Sequence, residues 1–197
     1  MKNYSKRVYS LGLFINDLLY VLLHTFQYIR AYSSGLIPWP MAEKIMLSVT
    51  AVNDCRHCAR FHSTLALMSG VEEEQVKDLL AMEIKKNVAE DELLALAFAQ
   101  HYAETERNPD PVRVKELYEF YGKAKTYDII LYLRFILLGN LAGNTLDAFY
   151  SRLKGRPAEG INFFSEIIIA AISWPVFTAF AIFSKWRLGK MGIKNPA

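Results

Sequence analysis

Apolar residues recur every three to four positions along most of the chain, which is the spacing of amphipathic α-helices. β-branched residues do not alternate with polar ones over any useful length, and no Asn-Gly or Asp-Gly pair marks a hairpin. We therefore predict an all-α fold. No internal repeat or linker interrupts the pattern, so residues 1–197 are expected to form a single domain.

The spacing predicts one helix over about residues 4–31. A second helix follows Pro40, which suits a first turn because its missing N–H would be unpaired there, and ends near Asn53. The next is expected to begin at Asp54 as N-cap and to stop at Gly70. The remaining predicted helices cover residues 72–82, 91–106, 112–121, 126–153 (one helix, or two joined near Gly139 or Gly143) and 161–187.

The segment 167–184 carries no charged residue and lies between Glu166 and Lys185. As a helix it would be about 27 Å long, just short of the ~30 Å hydrocarbon core of a bilayer. Pro175 would kink it near its middle. We interpret it as a helix buried in the core or in a subunit interface, and keep membrane association through residues 167–184 as the alternative.

Composition excludes several classes of protein. Hydrophobic residues make up 52% of the chain and charged residues 22%, which excludes a disordered or low-complexity chain. The net charge of +3 is small, so we expect no nucleic-acid partner. Asn16 and Asp17 interrupt the N-terminal apolar stretch, which favours an amphipathic helix over a signal peptide. A cytoplasmic protein, with or without membrane association, is predicted.

The two cysteines, Cys55 and Cys58, lie three positions apart, and His62 follows four positions later. Residues at these spacings share one face of a helix. The two cysteine Cα atoms would then be about 5 Å apart, within the range that a disulfide requires. A reversible disulfide is therefore expected to form without backbone movement.

A position in the first helical turn favours thiolates, because the helix dipole attracts negative charge there. Arg56 and Arg60 could add positive potential, and His62 could accept the proton of Cys58. We therefore expect Cys58 to be a nucleophile with a lowered pKa. Cys55 is placed to trap an oxidised Cys58 sulfur.

Three other interpretations of the cysteines stay open. A zinc site would use Cys55, Cys58 and His62, but zinc usually takes a fourth ligand, which His57, His24, His101 or a carboxylate would have to supply. The cysteines could also be ordinary buried apolar residues. A thioredoxin-type motif would need a strand before the helix, whereas residues 41–53 are predicted to be helical.

The run Cys55-Arg56-His57-Cys58, with His62 after it and Glu43 twelve residues before Cys55, resembles the AhpD-like alkylhydroperoxidases of the carboxymuconolactone decarboxylase superfamily. The core of the resemblance covers about residues 38–122. The run Gly139–Asp147 also resembles a segment of longer members. The predicted N-terminal helix and the apolar C-terminal helix extend beyond the minimal family domain.

This resemblance implies an all-helical fold that assembles as trimers or hexamers, with a thiol peroxidase or disulfide reductase activity that needs no metal, haem or other cofactor. By the resemblance, Cys58 attacks the peroxide and Cys55 resolves the product. Glu43 and His62 form a proton relay, with His57 in support. Superfamily members that decarboxylate lactones generally lack the cysteine pair.

The resulting hypothesis is a peroxiredoxin-type oxidoreductase that reduces a hydroperoxide and is itself reduced by a dithiol donor, such as a lipoyl protein or a small redoxin. One alternative is a non-catalytic redox-responsive binding protein. Another is a carboxymuconolactone decarboxylase-like enzyme that uses His62 and Glu43.

Overall fold

Helices account for most of the chain in the computed structural model, which describes residues 3–84 and 88–193. These residues form eight helices and no strand, with one isolated bridge between Tyr4 and Ala158. The predicted all-α fold is confirmed. The helices are α1 (Leu11–Leu23), α2 (Thr25–Ser34), α3 (Trp39–Asn53), α4 (Arg56–Met68), α5 (Glu73–Leu80), α6 (Glu90–Glu104), α7 (Pro111–Leu153) and α8 (Phe163–Met191).

The N-terminal region is not the single helix that was predicted over residues 4–31. Its first helix begins only at Leu11, and the chain breaks at His24 before α2. At this break the hydroxyl of Thr25 donates to the carbonyl of Leu22, a back-bond that bends helices. The apolar periodicity continues across the break, and for this reason the sequence pattern alone does not reveal it.

The helix at the centre of the fold is α3. All residues from Met41 to Thr50 are buried, polar ones included. Helices α4, α5, α6 and α7 pack around it. A helix covered on every side holds its polar side chains away from water, so Glu43 in its second turn needs partners inside the protein.

Helix α7 is interrupted once, at Gly122, where φ is 73° and ψ is 170°. Only glycine adopts this region without strain, which explains why the sequence signal for a helix end at this residue is correct. Beyond Gly122 the helix continues without a break to Leu153. Of the two predicted arrangements for residues 126–153, the single helix is the one observed.

Helix α8 begins at Phe163, where the Asn162 side chain accepts from the backbone N–H of Ser165. It packs against α1, α4 and α7. Its first turn is anchored by an ion pair between the buried Glu166 and the half-buried Arg152 of α7. Helix α8 therefore covers the side of the molecule where α4 and α7 meet.

By length and composition, α7 and α8 could each span a membrane. Their burial separates them, because 72% of the most apolar stretch of α7 is buried in the protein but only 28% of that of α8. The apolar character of α7 is explained by its position in the core. Helix α8 buries one side and leaves a broad apolar side exposed.

Candidate active site

The two cysteines lie where α3 turns into α4. The predicted N-cap at Asp54 is wrong by one residue, because Asp54 adopts a left-handed conformation (φ 51°, ψ 45°) that ends α3. Cys55 is the N-cap of α4 instead, and its Sγ accepts from the backbone N–H of Cys58 at 3.4 Å. A thiol thus occupies the position at which a Ser or Asp oxygen usually caps a helix.

Both thiols are free and buried. Burial raises the pKa of the Cys58 thiol well above its usual range, and the neighbouring Cys55 and the charge of Asp147 raise it further. The predicted lowering of this pKa is wrong. The helix terminus is covered by protein rather than water, and Arg56 is paired with Asp147, so its charge is not free to act on the sulfur.

Helix α7 approaches the two sulfurs through glycines. A Cβ at Gly143 would lie 2.7 Å from the Cys55 Sγ, and a Cβ at Gly139 would lie 3.5 Å from the Cys58 Sγ. The first distance is too short for any side chain without movement, and the second is an ordinary van der Waals contact. The two glycines are one helical turn apart, so each faces one cysteine.

His62 and Glu43 form a buried pair, in agreement with the pairing that the family resemblance implied. The His62 Nδ1 lies 2.8 Å from the Glu43 Oε2. The Trp39 indole N–H donates to the other carboxylate oxygen at 3.1 Å. An ionised Glu43 only accepts, so Nδ1 carries the proton and Nε2 of a neutral His62 has a free lone pair.

His57 makes its hydrogen bond to Asp147, and its ring lies near Gly143, as the Cys55 sulfur does. Its Nε2 lies 2.9 Å from the Asp147 Oδ1, and the Arg56 guanidinium reaches the same oxygen at 2.6 Å. Burial alone would raise the pKa of Asp147, but the hydrogen bonds from His57 and Arg56 lower it below its usual value. Asp147 is therefore the partner of His57.

Sequence reasoning missed the roles of Asp147 and Trp39. Asp147 ends the run of α7 that resembled longer family members, which was the one available signal for it. Trp39 lies four residues before Glu43, a spacing that brings two side chains together on a helix. That spacing could have predicted the hydrogen bond.

Cys58 and His62 both line an apolar cavity of about 410 Å³. Its walls come from α1, α4, α7 and α8. Phe61 of α4 stacks on Phe180 of α8 with ring centroids 3.9 Å apart. The other wall residues are mostly aliphatic and aromatic, among them Phe14, Leu18, Phe135, Ile136, Ala142, Ile172, Val176 and Phe177. The cavity suits an apolar ligand whose reactive end reaches Cys58.

The structure offers no set of ligands for the alternative zinc site in the residues that it describes. Within residues 3–84 and 88–193, no group of three or more His, Cys, Asp or Glu side chains is placed to hold a metal ion. Two of the candidate fourth ligands have other partners. The His24 ring stacks on Tyr20, and the His101 Nε2 accepts from the backbone N–H of Asp110 at 3.0 Å.

Fold and site together define an all-helical protein with a buried cysteine pair next to a histidine–glutamate pair. Residues 17–101 match the carboxymuconolactone decarboxylase family, so the predicted resemblance is confirmed over this segment. The segment contains all five predicted site residues, whereas Asp147 and α8 lie outside it. No curated protein and no solved structure matches the chain.

Replacing Gly143 with alanine should disturb the cysteine pair. The new methyl group would displace the Cys55 sulfur and Phe177, and overpacking of this kind costs about 1–3 kcal/mol of unfolding free energy. Denaturant unfolding of the reduced protein measures this cost. The matched control is Gly139→Ala on the same face, which should cost less than about 1 kcal/mol. Equal effects of the two substitutions would contradict the close approach at Gly143.

Replacing Asp147 with asparagine should reduce stability at neutral pH by about 1–2 kcal/mol, because His57 and Arg56 lose a charged acceptor. The pKa of Asp147 is lower in the folded than in the unfolded chain, so its contribution is complete above about pH 4 and is lost as the pH falls through the folded value. The difference between wild type and variant should therefore shrink in acid. Denaturant unfolding across pH tests this, with the exposed Asp54→Asn as the control.

Proposed function

We propose that the protein is a thiol-dependent peroxidase in which Cys58 attacks a hydroperoxide and Cys55 closes the disulfide. One observation carries the proposal: Cys58 and His62 line the same apolar cavity, while the Cys55 sulfur lies against the backbone N–H of Cys58. A nucleophile, a base and a second thiol are thus gathered at a space that could hold a substrate.

The raised pKa of Cys58 explains the need for a base. A buried thiol is protonated at neutral pH and is a poor nucleophile until its proton is removed. His62 presents the lone pair of Nε2 when Glu43 holds the proton of Nδ1. Trp39 in turn fixes the carboxylate of Glu43. In this proposal Cys58 is protonated at rest, and His62 removes its proton during the reaction.

The reaction begins when His62 takes the proton of Cys58 and the sulfur attacks the terminal oxygen of the hydroperoxide. The O–O bond breaks, the leaving alkoxide takes a proton to become an alcohol, and Cys58 becomes a sulfenic acid. The Cys55 sulfur then attacks the Cys58 sulfur, a disulfide forms and water leaves. A dithiol donor, such as a lipoyl group or a small redoxin, returns two electrons and two protons by thiol–disulfide exchange.

The oligomeric state, the cellular location and the electron donor stay predictions. The homo-oligomer (trimer or hexamer) and the cytoplasmic location follow from the resemblance and the composition. The dithiol donor is a proposal of the same kind, because the chemistry of disulfide reduction requires one.

Cys58→Ser should abolish peroxide turnover, because serine cannot be oxidised in the same way. Cys55→Ser should consume one equivalent of peroxide to form the Cys58 sulfenic acid and a second to form the sulfinic acid, and then stop. Peroxide consumption with a dithiol donor and mass spectrometry of the Cys55–Cys58 peptide give both results. Wild-type turnover by Cys58→Ser would contradict the proposal.

Two further outcomes of the same assay identify the alternatives. Oxidation of the wild type by one equivalent without turnover would favour a redox-responsive binding protein. Decarboxylation of a lactone by the Cys55→Ser, Cys58→Ser double variant would favour a decarboxylase that uses His62 and Glu43.

Glu43→Gln should slow peroxide reduction about 10- to 100-fold at neutral pH, because general-base assistance contributes a factor of this order or more. The loss should become smaller as the pH rises, because the fraction of the Cys58 thiol that is ionised without a base grows with pH. The pH dependence of the reaction rate measures this. Glu92→Gln, which changes another carboxylate paired with a residue of α3, serves as the control and should keep the wild-type profile. An unchanged profile for Glu43→Gln would remove Glu43 from the relay.

A further inference from the structure

Helix α8 exposes a continuous apolar stripe. Its large exposed side chains recur at helical spacing from Phe164 through Ile168, Ile172 and Ile182 to Trp186. The first and the last lie 22 positions apart, which corresponds to about 33 Å of helix. Scattered apolar residues on a surface are normal, but a stripe of this length indicates a contact with an apolar partner.

Exposed apolar residues also occur on α1, which packs against α8, and on α2, which packs against α1. Leu19, Leu22, Leu23, Phe26 and Ile29 are all exposed there. The two charged residues of this region, Asp17 and Arg30, are both paired, with Arg107 and Asp128 respectively. We refer to the exposed apolar residues of α1, α2 and α8 as the apolar face.

The cavity at Cys58 opens within the apolar face. Phe135, Ile172 and Val176 line the cavity and are also 41–48% exposed, so they form its rim. A second copy of the chain seated on this face would cover that rim. A bilayer would instead place its acyl chains at the opening.

Charge also favours a bilayer. Residues 167–193 contain three basic side chains, Lys185, Arg187 and Lys190, and no acidic one. They flank Trp186, whose ring lies 4.3 Å from the Lys190 Nζ. Basic residues and a tryptophan next to an apolar stripe match the headgroup level of an anionic membrane.

The helix is suited to lie on a membrane and not to cross it. Its other side is packed against α4 and α7 and contains the buried Glu166, which is paired with Arg152 of α7, and the buried Ser184. A helix that buries one side in protein and exposes an apolar side with basic residues at one end fits the boundary between headgroups and acyl chains.

We propose that the apolar face seats the protein on an anionic bilayer, and that Cys58 reduces hydroperoxides of the acyl chains of that bilayer. The second half rests on the peroxidase function proposed above. The acyl hydroperoxide enters past Ile172 and Val176, its O–O bond is broken at Cys58, and the acyl alcohol leaves. The two electrons come from the thiol pair.

Vesicle flotation tests the first half and needs no activity. The full-length protein should float with vesicles that contain phosphatidylglycerol and bind at least tenfold less to phosphatidylcholine alone, with the difference lost at high salt. Ile182→Glu, at a residue 65% exposed, should weaken binding at least tenfold. Val112→Glu, at a residue 61% exposed on α7, is the matched control and should bind as the wild type does. Thermal unfolding of both variants checks that they fold.

Turnover tests the second half. With phospholipid hydroperoxide in anionic vesicles, Ile182→Glu should be at least tenfold slower than wild type, in proportion to its lost binding. With water-soluble tert-butyl hydroperoxide the two should be equal.

The remaining outcomes separate the two proposals. Absence of flotation, with an oligomer that Ile182→Glu dissociates, would overturn membrane docking and assign the apolar face to a second copy. Flotation without turnover of either peroxide would overturn the peroxidase function and leave the docking intact. Equal slowing of both peroxides by Ile182→Glu would overturn delivery from the bilayer.

Discussion

The close approach of α7 to the beginning of α4 is the constraint on which the site depends. It depends on Gly143, where a Cβ would lie 2.7 Å from the Cys55 sulfur, whereas a Cβ at Gly139 would make only an ordinary contact with the Cys58 sulfur. The approach removes water from both thiols. It also brings Asp147, one further helical turn along α7, to His57 and Arg56. The contact between α7 and α4 therefore contributes to the burial of both thiols, to the raised pKa of Cys58 and to the pairing of His57 and Arg56 with Asp147.

Burial changes how the cysteines can react. A thiol at an exposed helix terminus would be ionised in advance, whereas the raised pKa of Cys58 keeps it protonated until a base acts. His62, the base of the proposed reaction, is itself buried and hydrogen-bonded to Glu43, which accepts in turn from Trp39. A chain of three hydrogen-bonding side chains from two helices thus ends at the cavity that Cys58 lines. Hydrogen-bonded networks of this kind fix geometry, because each member has a partner.

Local sequence patterns predict most of the fold, but they fail where the conformation of one residue sets the end of a helix. Helical spacing predicted the all-α class, the end at Gly122 and the apolar C-terminal helix. It missed the break at His24, since apolar residues continue in phase across it, and it placed the N-cap at Asp54 instead of Cys55. Both errors depend on the backbone conformation of one residue, which periodicity does not record.

The candidate site was predictable only where its residues belong to one local segment or to the family resemblance. The Cys58–His62 spacing follows from helical geometry within one segment, and the family resemblance added Glu43. The lowered pKa expected for Cys58 was wrong because it treated α4 as an isolated helix. The covering of its terminus by α7 is a tertiary contact between residues more than 80 positions apart. No local rule contains that information.

The division of the chain between family segment and added helices has a functional meaning. Residues 17–101 match the family and contain the cysteines, His62 and Glu43, so the groups that would perform the chemistry belong to the shared part. The cavity wall is different, because Phe177 and Phe180 come from α8, outside that segment. The rim residues Ile172 and Val176 come from the same helix. On the proposed function, the shared segment holds the reacting groups, and α8 contributes part of the wall and the rim of the cavity at Cys58.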